Sequence, residues 1–105
     1  MTKDDIMSLI KAMPQIDMLN VTNDKQRENE YKECIRSLDG KEWVRLLKTV
    51  RERGRGRMEK GKKMTALDER YMKMAEMQLY SEIAAVLEIP RNQVEDFIEK
   101  YMVVA

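Results

Sequence analysis

The sequence contains no histidine, and Cys34 is its only cysteine. A lone cysteine excludes an intramolecular disulfide and a CxxC redox motif, and the absence of histidine removes a common zinc ligand and the usual general base. No apolar run approaches the ~20 residues that span a membrane, and Asp4 and Asp5 stand where a secretory signal would be basic and then apolar. We therefore expect a cytoplasmic protein with no metal, no cofactor and no membrane partner.

Proline and glycine are also scarce, with two and four residues respectively. The chain of 105 residues is 43% apolar and 37% charged, and its frequent Glu, Lys, Met and Leu are good helix formers. A chain of this length supports one modest hydrophobic core. The composition predicts a single all-α domain over residues 1–105, folded as a compact bundle of about five helices.

Helix starts are marked by a side-chain acceptor three residues before an acid or amide. This capping-box pattern occurs four times, at Thr2/Asp5, Asn23/Gln26, Asp39/Glu42 and Thr65/Asp68. Together with the apolar spacing it predicts helices over about 3–13, 24–38, 40 to the turn at 60–64, 66–87, and from Pro90 to about 101. We expect the first half of the second helix to stand in water, and the third helix to weaken at Gly54 and Gly56.

Positive charge is concentrated in residues 45–63, which contain nine Lys or Arg residues and only two acids, Glu52 and Glu59. That segment carries +7, whereas the whole chain carries +1, so the remainder is acidic. Helical spacing places Lys48, Arg51 and Arg55 together on one flank. A cationic stripe can bind a polyanion such as nucleic acid. It can also be the solvated side of a helix whose charge is balanced by acids on neighbouring faces. Charge alone favours neither interpretation.

Other patterns point away from an enzyme. The basic segment lacks the GxxxxGK[ST] spacing of a phosphate loop, and the paired carboxylates, Asp68/Glu69 among them, lie at helix starts or on solvent-facing turns. Cys34 falls on the apolar side of its helix, where a thiol is inert. The tail from Ser81 has the apolar skeleton of a helix-turn-helix, but its last helix is too acidic to enter a DNA groove.

A different class of function remains open. Met72, Met74 and Met77 lie close together on the fourth helix, and a methionine-rich face can dock a partner helix. In helices such residues more often fill the core. A protein-interaction module is therefore the alternative to a nucleic-acid-binding one.

Extended stretches of the chain resemble one bacterial family. NDKQRENEYKECIRSLDGKEWVRLLKTV and KGKKMTALDERYMKMAEMQLYSEIAAVLEIP, preceded by IMSLIKAMPQID, are similar to the C-terminal helical domain of CarD/CdnL-type transcription regulators. The resemblance covers nearly the whole chain. It implies contact with promoter DNA beside the upstream edge of the transcription bubble, and hence a nucleoid location. In the family a separate N-terminal β-barrel binds RNA polymerase, and that barrel is absent from this chain.

The resemblance also implies individual roles. The family's DNA-facing basic positions fall on Lys32, Arg53 and Arg70. To these the charge pattern adds further phosphate-contact candidates: Lys25, Arg27, Lys48, Arg51, Arg55 and Arg57.

A tryptophan wedge in the family occupies a position that matches Asn20 or Arg27 here. Leu19 or Val21 would be a weak substitute for it. The only tryptophan, Trp43, is expected to pack in the core instead.

Overall fold

Five helices form the fold, as predicted. The computed structural model describes residues 1–21 and 23–102, apart from the side chains of residues 100 and 102. Its helices are α1 (Lys3–Ala12), α2 (Asp24–Arg36), α3 (Gly40–Glu59), α4 (Ala66–Leu87) and α5 (Arg91–Met102), and a 3-10 turn over Met13–Gln15 follows α1. Within the described residues there is no strand. The all-α fold class is therefore confirmed.

Three of the four predicted helix caps form with the expected backbone N–H, those of Thr2, Asn23 and Thr65. The Thr2 hydroxyl accepts from the Asp5 backbone N–H at 3.1 Å, and the Asp5 carboxylate accepts from the Thr2 N–H at 2.9 Å, completing a capping box. The side chain of Asn23 accepts from the Gln26 N–H at 2.8 Å. Each cap satisfies a backbone donor that the first turn of a helix leaves unpaired.

The Asp39 cap differs from the prediction, whereas the Thr65 cap forms with an unexpected position of the Asp68 carboxylate. Asp39 accepts from the N–H of Lys41, at 3.0 Å, rather than entering a box with Glu42. Thr65 does accept from the Asp68 N–H, at 3.1 Å, but the Asp68 carboxylate turns into the interior. Asp68 does lie in the first turn of α4, as expected, but its side chain is fully buried, which the sequence did not indicate.

Helix α3 does not weaken at its glycines. It continues unbroken to Glu59, and Gly54 is buried on its apolar face, as the spacing predicted. A Cβ atom at Gly54 would stand 2.8 Å from the terminal methyl of Met64, whereas one at Gly56 would meet nothing within 4 Å. Gly54 thus allows close packing of the segment that leads into α4, and the expectation that the helix weakens at its glycines was wrong.

The core lies between α3 and α4, which form the largest helix–helix contact, and α5 and α1 close over it. Trp43 is buried, which confirms its predicted packing role. The first half of α2 is not wholly in water, because Arg27 and Tyr31 are buried against the other helices. The main apolar contributors are Ile6, Ile10, Leu46, Leu47, Val50, Leu79, Ile83, Val94 and Ile98.

Candidate nucleic-acid interface

Most arginines in the first half of the basic segment face carboxylates. Arg51 donates to Glu99 of α5 at 2.8 Å and to the Tyr80 hydroxyl at 3.0 Å. Arg45 pairs with Glu42 at 3.2 Å, and Arg55 pairs with Glu52. The excess charge seen in the sequence is therefore partly neutralised by acids that the fold brings onto the same surface. For this part of α3 the balanced-helix interpretation holds.

Lys48 does not lie on the solvent flank where the helical spacing placed it. Only 2% of the residue is exposed, and its Nζ donates to the backbone oxygens of Met13 and Ile16, at 2.9 Å for the latter. Desolvation by burial lowers the pKa of Lys48. The physical reason is that residues 13–16 end their helical turn against α3 with carbonyl groups that need a donor. The prediction that Lys48 contacts phosphate is therefore wrong.

Arg27 was also expected on the surface, but the residue is only 8% exposed. One terminal amino group pairs with the carboxylate of Asp24, whose side chain is 93% exposed. The Nε atom is sealed from solvent and has no hydrogen-bond partner among the described residues. Arg27 is therefore an interior-facing arginine, which the charged sequence around it did not reveal.

Asp68 forms a buried polar centre that joins three helices. Its two oxygens accept from the Tyr31 hydroxyl of α2 at 2.9 Å and from Nε of Arg53 in α3 at 2.8 Å. Burial, followed by the hydrogen bond and charge of Asp68, raises the pKa of Tyr31. About a third of the Arg53 side chain, 31%, stays exposed. Arg53 is thus held in a fixed orientation at the protein surface, a role that its sequence position alone did not indicate.

The two other family-matched cations lie around the same centre. Arg70 pairs with Glu28 of α2 at 3.1 Å, and its guanidinium stands 5.0 Å above the ring of Tyr71. That ring lies 5.5 Å from the ring of Tyr31. Lys32 follows Tyr31 on α2 and is exposed. The fold therefore brings Arg53 and Arg70 to the junction of α2, α3 and α4, although they are far apart in sequence, while Lys32 is exposed on α2.

A second group of cations surrounds the end of α3. We call Arg57, Lys60, Lys62 and Lys63 the cationic turn. Arg57 donates through Nε to the Lys63 carbonyl at 2.6 Å, and Gly61 takes a positive φ of 74° that lets the chain reverse. The three lysines are exposed, and within the described part of the chain none has a carboxylate within 4 Å. Their charge is therefore not neutralised locally.

Arg53, a family-matched residue, and Arg57 of the cationic turn lie on one side of α3. Arg53 and Arg57 are four residues apart in this helix, so their side chains leave it on the same face. Lys25, in the first turn of α2, is also exposed. The candidate interface consists of Lys25, Lys32, Arg53, Arg57, Lys60, Lys62, Lys63 and Arg70. Arg55 stands at its edge with a side chain that is 68% exposed.

The linker that carries the wedge position is held to α3. The N–H of Leu19 donates to the Thr49 hydroxyl at 2.8 Å, and the Leu19 side chain packs partly against the core. Asn20 is exposed and Val21 is partly exposed. An exposed asparagine is polar and small compared with the family tryptophan, so the geometry gives no support to an apolar wedge at this position.

The methionines of α4 and Cys34 differ in their exposure to solvent. Met72 packs against the core, whereas Met74 and Met77 are 40% and 58% exposed. The Cys34 thiol is buried, and burial, together with the nearby Glu42 carboxylate, raises its pKa to about 12. Across residues 1–21 and 23–102 there is no cluster of three metal-ligating side chains, and no helix there is both long and apolar enough to cross a membrane.

Comparison with known proteins identified no relative of this chain. Neither the family models, nor the curated proteins, nor the solved structures contain a match to this chain. The resemblance to the CarD/CdnL family therefore stays a prediction that rests on the sequence stretches quoted above.

Proposed function

We propose that this chain is a DNA-binding module that grips the phosphate backbone with the cationic turn and the neighbouring arginines of α3 and α4. The observation that carries this proposal is the exposure of Lys60, Lys62 and Lys63 without carboxylate partners among the described residues. Unpaired surface cations that bind phosphates release the counterions condensed on DNA, which favours binding. The arginines of α3 that already pair with carboxylates contribute less to the binding free energy.

The geometry suits backbone contact rather than base recognition. The cations project from a turn and from helix sides around it, and α5, whose exposed residues include Glu95, Asp96 and Glu99, would repel DNA from its own face. Phosphate contacts position a protein without reading sequence. We expect a non-specific dissociation constant of roughly 10⁻⁴ to 10⁻⁶ M at physiological salt.

The family resemblance gives this module a place in transcription. On that basis the domain would hold promoter DNA near the upstream edge of the transcription bubble and alter the stability of the open complex formed by RNA polymerase. A polymerase-binding domain supplied elsewhere would raise its effective concentration at promoters. In this proposal the domain acts through backbone contacts, and no wedge residue is assigned.

A charge-matched pair of variants tests the proposal. Changing Lys60, Lys62 and Lys63 to Gln removes three exposed charges from the turn. Changing Lys3, Lys11 and Lys41 to Gln removes three exposed charges from α1 and the start of α3. Both variants have the same net charge, so a general electrostatic effect weakens both equally. Fluorescence anisotropy with a labelled promoter fork should show at least tenfold weaker binding for the turn variant alone.

The second candidate function is a protein-interaction module, and the exposure of Met74 and Met77 favours it. A methionine-lined contact buries apolar surface, so its affinity changes little with salt. Equal DNA binding by the two lysine variants, or none at low salt, would favour this module over the DNA-binding one.

A further inference from the structure

A small cavity of about 190 Å³ lies between the linker and the helices α2 and α3. Met18, Leu19 and Val21 form its apolar wall, and the polar wall includes Arg27 and Arg53. Two guanidinium groups beside one small cavity repel each other unless carboxylates or another anion lie near them.

Arg27 carries a buried donor that has no acceptor among the described residues. More than nine-tenths of the residue is buried, and its Nε has no hydrogen-bond partner in the described part of the chain. Buried donors are almost always paired, and an exception calls for an explanation such as a missing ion. Because Nε is sealed from solvent, an anion in the cavity can become its acceptor only if the guanidinium turns when Arg27 leaves Asp24.

The two arginines differ in how firmly their present partners hold them. Arg53 is fixed through Nε by Asp68, which is fully buried and cannot leave without disrupting the core. Arg27 pairs with Asp24, whose side chain is 93% exposed. Because Asp24 is exposed, its carboxylate can move into water, provided that an incoming anion takes its place beside the buried guanidinium. Arg27 can therefore exchange Asp24 for a stronger anion, while Arg53 stays in place.

The lining also contains a negative group. Glu52 lies at the cavity, and its carboxylate pairs with Arg55. Thr49 contributes a hydroxyl that already accepts from Leu19 and donates to the Arg45 carbonyl. The Arg55 pair reduces the repulsion that Glu52 would exert on an incoming anion.

We infer that this cavity binds a phosphate group of the DNA backbone, with Arg27 and Arg53 as donors and the linker side chains against the adjoining sugar. The inference rests on the proposed function, because it names where one phosphate of the bound strand sits. Arginine suits the role because its planar group offers several donors in a fork that matches phosphate oxygens. Free inorganic phosphate has the same chemistry and is a direct probe of the cavity.

NMR of the arginine Nε–Hε groups tests the inference in the whole chain. We expect inorganic phosphate, but not chloride at equal ionic strength, to shift the signals of Arg27 and Arg53 saturably. A short duplex DNA should shift the same two signals. Arg27→Gln should weaken phosphate binding at least tenfold. The matched control is Arg36→Gln, which changes a side chain 74% exposed on the same helix and should leave phosphate binding unchanged.

A second variant serves if Arg27→Gln fails to fold. Asp24→Asn removes the displaceable counterion, so phosphate should bind several-fold more tightly. Absence of a saturable shift at both arginines, or equal shifts with chloride, would overturn the site. Shifts with phosphate but not with DNA would overturn its assignment to the DNA backbone. The turn variant separates the two proposals, because it should lose DNA binding while its Arg27 and Arg53 signals still respond to phosphate.

Discussion

Removing Arg53 should destabilise the domain more than removing the charge of its partner Asp68. Arg53→Met leaves the fully buried Asp68 carboxylate with the Tyr31 hydroxyl as its remaining side-chain donor. Breaking a buried ion pair from one side costs roughly 3–5 kcal/mol, and because Arg53 is 31% exposed we expect about 3 kcal/mol. Asp68→Asn keeps an acceptor for Tyr31 and lets Arg53 reach water, so it should cost about 1–2 kcal/mol.

A double variant tests whether the cost of Arg53→Met comes from the unpaired charge of Asp68. Arg53→Met combined with Asp68→Asn contains no unpaired buried charge, so it should be more stable than Arg53→Met alone, by about 1 kcal/mol. Urea unfolding followed by the fluorescence of Trp43, the only tryptophan and a buried one, measures all three. Arg36→Met is the surface control and should stay within about 0.5 kcal/mol of the parent. A cost below about 1 kcal/mol for Arg53→Met, or a double variant less stable than it, would refute the account of Asp68.

Three further predictions concern stability. Gly56→Ala should stabilise the domain by about 0.5–1 kcal/mol and Gly54→Ala by less in thermal unfolding, because only at Gly54 must the Met64 methyl move. Lys48→Met should cost about 2 kcal/mol in urea unfolding, since the Met13 and Ile16 carbonyls lose their buried donor. Stability should fall as pH rises from about 9.0, because the raised pKa of Cys34, about 12, means that only the unfolded chain loses this proton there. In a pH series of urea unfolding, Cys34→Ala should show a shallower fall than the parent. A steeper or unchanged fall would contradict the raised pKa.

Local signals in the sequence were sufficient for the helices. Thr2 and Asn23 cap the helices that they were expected to cap, and apolar spacing placed Gly54 on the buried face of α3. These features depend on residues a few positions apart. The same local reasoning failed for the continuity of α3, because packing against Met64 outweighs the helix propensity of glycine.

The candidate site could be predicted only in part, because its electrostatics depend on distant partners. Arg51 meets Glu99, 48 residues away, and Lys48 meets the Met13 carbonyl, 35 residues away. No spacing rule pairs such residues, so charge counting overstated the free charge on α3. Lys60, Lys62 and Lys63 belonged to the basic segment but were not among the predicted phosphate contacts; in the structure they have no carboxylate partner among the described residues.

The measurement that tests the central claim most directly is the salt dependence of DNA binding by the parent chain and by the variant with Lys60, Lys62 and Lys63 changed to Gln. Each phosphate contact adds about 0.9 to the slope of log affinity against log salt. If the three lysines contact phosphates, the variant's slope should be shallower by about 2.7. Equal slopes for the two proteins would contradict the claim that the cationic turn grips the DNA backbone.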